Sequence, residues 1–197
     1  ELSGNDLNAY IAAGVYSDHE CSTFENALEK LRKGQFIMIR EGTAAHNLKA
    51  LMPLLTQQYY SRCMFATDDK HPSDLLYGGH IDYIVKQALK NGADPIVALK
   101  TATHHAARYF LLNNKGAIAS GYLADIVVVD NLEDFNVETV FKRGKLVFDG
   151  EVKDFSAPTV DEKLAEKCFD TFHLDSVTPS SFKVDGKLGL IGLVGGG

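Results

Sequence analysis

Apolar positions along the chain fall into short blocks that switch between two periods. Leu7, Tyr10 and Ile11 recur at helical spacing and predict a helix over 5–13, ended by Gly14. Val15-Tyr16-Ser17 reads as a short strand. Ala27, Leu28 and Leu31 form the apolar stripe of a helix over 23–33, with Thr23 as its N-cap and Gly34 as its stop. Phe36-Ile37-Met38-Ile39 is an unbroken apolar run, the pattern of a strand buried on both faces. A helix over 44–56 is predicted next, then a third strand at Cys63-Met64-Phe65-Ala66. Two long helices follow, over about 73–91 and about 94–112. Asp94-Pro95 opens the second, with proline in the first turn, where its missing N–H is not needed.

This alternation of strand and helix predicts an α/β fold with a parallel sheet or barrel. Each strand ends in polar or charged residues, and in a (β/α)8 TIM barrel those ends form the active face. Three β/α units cannot close a barrel. Leu2-Ser3-Gly4-Asn5-Asp6 reads as a loop and helix cap with nothing before it to pack against. Both features give the expectation of a piece of a longer chain.

The pattern changes after Gly116. Ile126-Val127-Val128-Val129 reads as a strand, and Val137 to Phe141, Arg143-Gly144 and Lys145 to Phe148 read as a hairpin. A helix is expected over 159–172, with polar turns, weak strands and a Gly-rich end beyond Val177. The chain therefore divides into 1–115, α/β; 116–155, a small β module; and 156–197, a C-terminal extension.

Composition narrows the function. The 197 residues are 45% hydrophobic and 23% charged, which suits a globular chain. A formal charge of -6 argues against nucleic acid, whose phosphates want a basic face. No apolar run approaches the roughly 20 residues that cross a bilayer, and the start lacks the basic-then-apolar pattern of an export signal. A cytoplasmic protein without a membrane partner is expected. Cys21, Cys63 and Cys168 are widely spaced, with no CxxC, and are expected to be reduced and buried.

Two strand ends carry the candidate chemistry. Asp18-His19-Glu20 sets an imidazole, a good ligand for first-row divalent metals, between two carboxylates. One of these could fix the ring tautomer from behind; an ordinary charged surface loop is the alternative. Thr67-Asp68-Asp69 follows the third strand, with His71-Pro72 right after. A carboxylate there can ligate a hard cation and take a proton from its water. Asp69 or Ser73 could instead cap the next helix, so Asp68 is the better candidate for chemistry. Arg40-Glu41-Gly42 closes the middle strand and either hydrogen-bonds a flat heterocycle or forms a rim salt bridge. Of seven histidines, His46, His104, His105 and His173 fall in helix-like segments and read as solvated or packed. His80, in Gly78-Gly79-His80-Ile81-Asp82, opens a helix near the same rim and is a pocket candidate.

The run from Gly116 to Val128, with Gly116-x-Ile118-x-x-Gly121-x-x-Ala124-Asp125-Ile126-Val127, resembles the strand entry of the β module in the amidohydrolase superfamily. Ala102-Thr103-His104-His105-Ala106-Ala107 resembles that family's Ala-Thr-x-Asn-Ala-Ala, with His105 in place of Asn. Within the superfamily, Ser17-Asp18-His19-Glu20-Cys21, Ile39-Arg40-Glu41-Gly42, Thr67-Asp68-Asp69-Lys70-His71-Pro72 and Gly79-His80-Ile81-Asp82-Tyr83 look like the bacterial adenine-deaminating branch. The similarity runs in unbroken order over roughly 2–155.

The resemblance implies the last three β/α units of a TIM barrel, followed by part of a β-sandwich module. It implies hydrolytic deamination of adenine to hypoxanthine and ammonia, a step of purine salvage, at a dinuclear divalent metal centre of manganese, iron or zinc. His19 and Asp68 match metal ligands, and Asp68 also matches the proton shuttle. Glu20 matches a position that supports the ligands and, through them, catalysis. Arg40, Glu41 and His80 match the purine pocket, while Asp18, Asp69 and His71 support the ligands from behind. The family's remaining ligands all precede the segment matching Leu2. The implied partner is therefore the amino-terminal part of the same protein, without which this chain should be inactive; a homo-oligomer is compatible with the sequence. The rival readings are a cyclic-amide hydrolase of the same superfamily, acting on a hydantoin or dihydroorotate, and a non-catalytic module on the same scaffold.

Overall fold

The computed structural model describes residues 2–153, 156, 159–169, 171 and 173–183. The chain divides into two units, residues 1–153 and residues 154–194. The first unit opens with α1 (Gly4–Ala12), β1 (Ser17–Asp18), α2 (Phe24–Arg32), β2 (Phe36–Arg40), α3 (Leu48–Leu51) and β3 (Cys63–Ala66). It continues with α4 (Pro72–Gly78), α5 (Ile81–Lys90), α6 (Pro95–Ala102) and α7 (His104–Tyr109), then β4 (Ile126–Val129), β5 (Val137–Lys142) and β6 (Lys145–Phe148).

β1, β2 and β3 form a parallel sheet in that order, with Ser17 opposite Phe36 and Ile37 opposite Cys63. The fold is α/β, as the alternation predicts. Burial in β2 alternates rather than covering both faces: Ile37 and Ile39 are fully buried, while Phe36, Met38 and Arg40 are partly exposed. The cause is one-sided cover. Ile37, Ile39, Cys63 and Phe65 pack with Leu48, Leu51, Ile84, Val85, Val97 and Ala98 from the helices, and Met64 is buried outside that cluster.

Helix limits depart from the pattern in three places. The expected helix over 44–56 shrinks to α3 and a following 3-10 turn, Met52–Leu54. Residues before it are held in a loop by a Glu41–His46 bridge, so His46 is not helical. The expected helix over 73–91 breaks into α4 and α5 at Gly79, whose φ of +99° only glycine adopts cheaply. The expected helix over 94–112 breaks into α6 and α7 at Thr103, whose hydroxyl turns back onto the Leu99 carbonyl at 2.7 Å. Thr23 does cap α2, its side chain accepting the Asn26 N–H. Asp69 and Ser73 do not cap α4; its N-cap is His71, without a side-chain bond.

His105 is packed. Its Nδ1 lies 3.1 Å from the Cys63 carbonyl and its ring meets that of Tyr60. Burial lowers its pKa below the ordinary histidine value. Cys21 and Cys63 are buried as expected, and burial pushes the Cys63 thiol up to about 12; Cys168 is exposed, contrary to expectation.

β4, β5 and β6 form an antiparallel sheet. Arg143 and Gly144 both have positive φ, +51° and +76°, the signature of a two-residue hairpin turn whose twist matches the strands. Asp125, from the Ala-Asp-Ile-Val motif, secures that turn. It accepts the Arg143 N–H at 2.9 Å and pairs with Lys142 at 3.0 Å and with Lys115. These contacts, Lys115 foremost, hold its carboxyl far below the usual range. Phe135 carries this region into the core of the first unit.

In the second unit, α8 (Glu162–Phe169) falls inside the expected helix, and Pro179–Phe182 is a 3-10 turn rather than strand. The end from 184 lies outside the described residues. Among the described residues no helix is long and apolar enough to cross a membrane.

Candidate active site

The carboxyl ends of β1, β2 and β3 bring three separate segments together. His19 follows β1, Arg40 ends β2 and Asp68 follows β3. His19 Nε2 lies 3.7 Å from Asp68 Oδ1 and 3.1 Å from Glu20 Oε1. Arg40 Nη1 sits between two carboxylates, 3.1 Å from Glu20 Oε2 and 3.0 Å from Asp68 Oδ2, while Nε donates to Asn47 Oδ1 at 3.2 Å. A planar guanidinium can hold several acceptors in fixed directions. The Arg40 side chain is 12% exposed, against 45% for His19, 62% for Glu20 and 37% for Asp68. The arginine is thus the floor of the cluster, and the imidazole and carboxylates face outward.

Asp68 has φ +49°, in the left-handed region, which non-glycine residues enter rarely and Asp and Asn most readily. Backbone held this way at a cluster of ionisable groups is a mark of a functional site.

The loop after β2 is bolted to the loop after β3. Asp69 Oδ2 accepts the Ala44 N–H at 2.8 Å, the main reason its carboxyl sits below the ordinary value. Thr43 Oγ1 accepts the His71 N–H at 2.8 Å and donates to Asp74. Gly42 permits this approach, because a Cβ there would stand 1.7 Å from Asp69 Oδ1 and 2.8 Å from the Thr67 carbonyl. Glu41 is buried and turned into its own loop, taking His46 Nδ1 at 2.8 Å and the Leu48 N–H at 3.2 Å.

Among the expected site residues, the structure brings His19, Glu20, Arg40 and Asp68 into direct contact. His80 stands beside them on the rim, its Nε2 3.2 Å from Thr67 Oγ1. Asp18 faces the other way, toward Lys30 Nζ at 2.8 Å. Burial opposes its charge, but Lys30 and the Glu20 amide outweigh burial and hold its pKa below the ordinary value. Asp69 and His71 join the loop bolt; Glu41 anchors the facing loop. Sequence reasoning missed Thr43, Asn47 and Lys30, which carry no motif signal of their own. His19 and Asp68 supply two facing donors of the kinds divalent metals take. Among the described residues, no group of three or more His, Cys, Asp or Glu side chains converges to hold a metal.

Residues 3–147 match the model of the Amidohydrolase family. The adenine deaminase of Kosmotoga olearia is 49% identical across 82% of this chain. Adenine deaminase 2 of Carboxydothermus hydrogenoformans is 45% identical across 94%. The chain spans 31% and 32% of their respective lengths. Among solved structures, a β-aspartyl dipeptidase from Fervidobacterium islandicum AW-1 superposes with a TM-score of 0.55 at 26% identity, covering 68% of this chain and 36% of that one. A family match over most of the chain, with relatives close to half identical over 82% and 94% of it, leads to one conclusion: the chain belongs to the amidohydrolase family.

Proposed function

We propose that the full-length protein deaminates adenine hydrolytically, adding water to C6 and releasing ammonia to leave hypoxanthine. The observation that carries this reading is the convergence of His19 and Arg40 on the carboxylates of Asp68 and Glu20 at the carboxyl ends of the three parallel strands. Relatives named adenine deaminase are close to half identical to this chain over most of its length. We read residues 1–115 as the last three units of a TIM barrel, 116–155 as part of a β-sandwich module and 156–197 as an extension. We read the protein as cytoplasmic, with no nucleic-acid or membrane partner, and a homo-oligomer is compatible with this reading.

The donor set fits a divalent metal. An imidazole nitrogen and a carboxylate oxygen, both partly exposed, face one another at 3.7 Å. His19 Nε2 and Asp68 Oδ1 would hold it, and manganese, iron and zinc all suit this pair. Two donors fall short of the three or four that a site needs, so the rest of the full-length protein completes the set, including any second metal. When bound, the metal makes its water acidic enough to act as a nucleophile near neutral pH.

The chain's own residues do the remaining work. Asp68 takes the proton of the attacking water and passes it to the departing amino group. Arg40 keeps Asp68 and Glu20 at fixed angles beside the purine, and Glu20 assists Asp68 from the exposed side of the cluster. His80 closes the rim, while Glu41 shapes the pocket wall through the loop it anchors. Asp18, Asp69 and His71 hold their segments from behind. The test is ammonia release by the full-length protein from adenine against ring opening of hydantoin and dihydroorotate to their N-carbamoyl acids, with metal content measured alongside. Ammonia from adenine with bound metal is expected. Turnover of a cyclic amide alone overturns the reading, and a folded, metal-free protein points instead to a non-catalytic module.

A further inference from the structure

Lys30 lies on the sheet-facing side of α2, and only 4% of its side chain is exposed. Lysine is almost never buried this far without a partner. Its Nζ lies 2.8 Å from Asp18 Oδ2 and 3.6 Å from Cys21 Sγ. The other Asp18 oxygen, Oδ1, accepts the Glu20 N–H at 2.6 Å and stands 3.8 Å from Cys21 Sγ. The ammonium therefore grips both ends of the turn 18–21, and the carboxylate it holds folds the backbone at Glu20. His19 sits at the crest of that turn, with Nε2 directed at Asp68 Oδ1.

We propose that Lys30 is a positioning residue of the metal site: through Asp18 it holds the turn 18–21 in the shape that aims His19 at Asp68. It touches neither substrate nor metal. An apolar side chain on α2 could fill the same space, but could not hold Asp18 Oδ2 while leaving Oδ1 for the Glu20 amide. α2 is a firm base for this, since Thr23 caps its start and its backbone is regular to Arg32. The inference rests on the reading of His19 and Asp68 as metal ligands.

The test uses the full-length protein, stripped and titrated with Mn(II), as wild type, Lys30→Met, Lys30→Arg and the double variant Asp18→Asn/Lys30→Met. The double variant leaves no unpaired charge in the core, so it keeps the test decisive if Lys30→Met fails to fold. Removing a group that orients a ligand typically weakens metal binding by about 10–100-fold. We expect a loss of that order in Lys30→Met and in the double variant, with part of it restored in Lys30→Arg. In the metal-free protein, the amides of residues 17–21 should exchange hydrogen faster in both variants than in wild type. A folded double variant with wild-type Mn(II) affinity and exchange overturns the inference while leaving the proposed function standing. A wild-type protein that takes up no metal overturns both.

Discussion

Replacing Gly42 with alanine puts a methyl group where the two loops of the site meet. The new Cβ would lie 1.7 Å from Asp69 Oδ1 and 2.8 Å from the Thr67 carbonyl oxygen. The carboxylate can rotate away only by leaving the Ala44 N–H it accepts at 2.8 Å. The carbonyl belongs to backbone and cannot rotate, so Thr67 must shift by several tenths of an ångström to reach ordinary contact. Forcing a methyl group into a packed site costs about 1–3 kcal/mol. Each kcal/mol moves the thermal midpoint of a unit of about 150–250 residues by about 2–4 °C and that of a longer chain by less, so a fall of at most roughly 12 °C is expected. Thr67 leads directly into Asp68, and a displacement of about 1 Å at a reacting group costs on the order of 100-fold in rate. Gly78→Ala is the control. Gly78 ends α4, its Cβ would meet nothing within 4 Å and its φ is not positive, so alanine there should be neutral or stabilise by about 0.5–1 kcal/mol. The assay is calorimetric melting of the full-length protein with parallel ammonia release. A Gly42→Ala protein that melts with wild type and keeps its rate refutes the loop-bolt argument.

Three further outcomes are expected. Asp68→Asn should lower the deamination rate by ~10²–10⁴-fold, the usual contribution of a positioned proton carrier, with little change in melting because asparagine also tolerates a φ of +49°; near-native turnover would show that the shuttle is assigned wrongly. Arg40→Lys keeps the charge but cannot reach Glu20, Asp68 and Asn47 together, so kcat should fall on the order of tenfold or more while the melting curve is kept; an unchanged kcat in steady-state assays would remove Arg40 from the positioning role. Asp125 has a depressed pKa, so its contribution to stability is complete above the ordinary value of 3.8 and is lost as pH falls below it toward the folded-state value. Asp125→Asn should therefore melt below wild type at neutral pH, with the gap narrowing as pH drops beneath about 4; melting curves with a pH-independent gap would contradict this.

Much of the fold was legible along the chain. Strands at 36–39, 63–66 and 126–129 announced themselves as apolar runs, and Arg143-Gly144 marked the hairpin turn because few residues accept two successive positive φ values. The resemblance to amidohydrolases, drawn from short motifs, is borne out by the family match. The helix breaks at Gly79 and Thr103 were harder to see, since a glycine or threonine within a periodic pattern is often tolerated.

The sequence by itself determined the order of elements and the chemistry at each strand end, because period and turn residues are local properties. Only the tertiary structure decided which strand ends meet. Parallel pairing sets the end of β1 and the end of β3 on either side of Arg40, bringing His19 within 3.7 Å of Asp68 across 49 residues of chain. It also separated residues that look alike in sequence. Asp18 and Glu20 flank the same histidine, yet one turns inward to a buried lysine and the other outward to the rim. A strand end turns successive side chains in different directions, and what each then meets depends on partners far away in the chain.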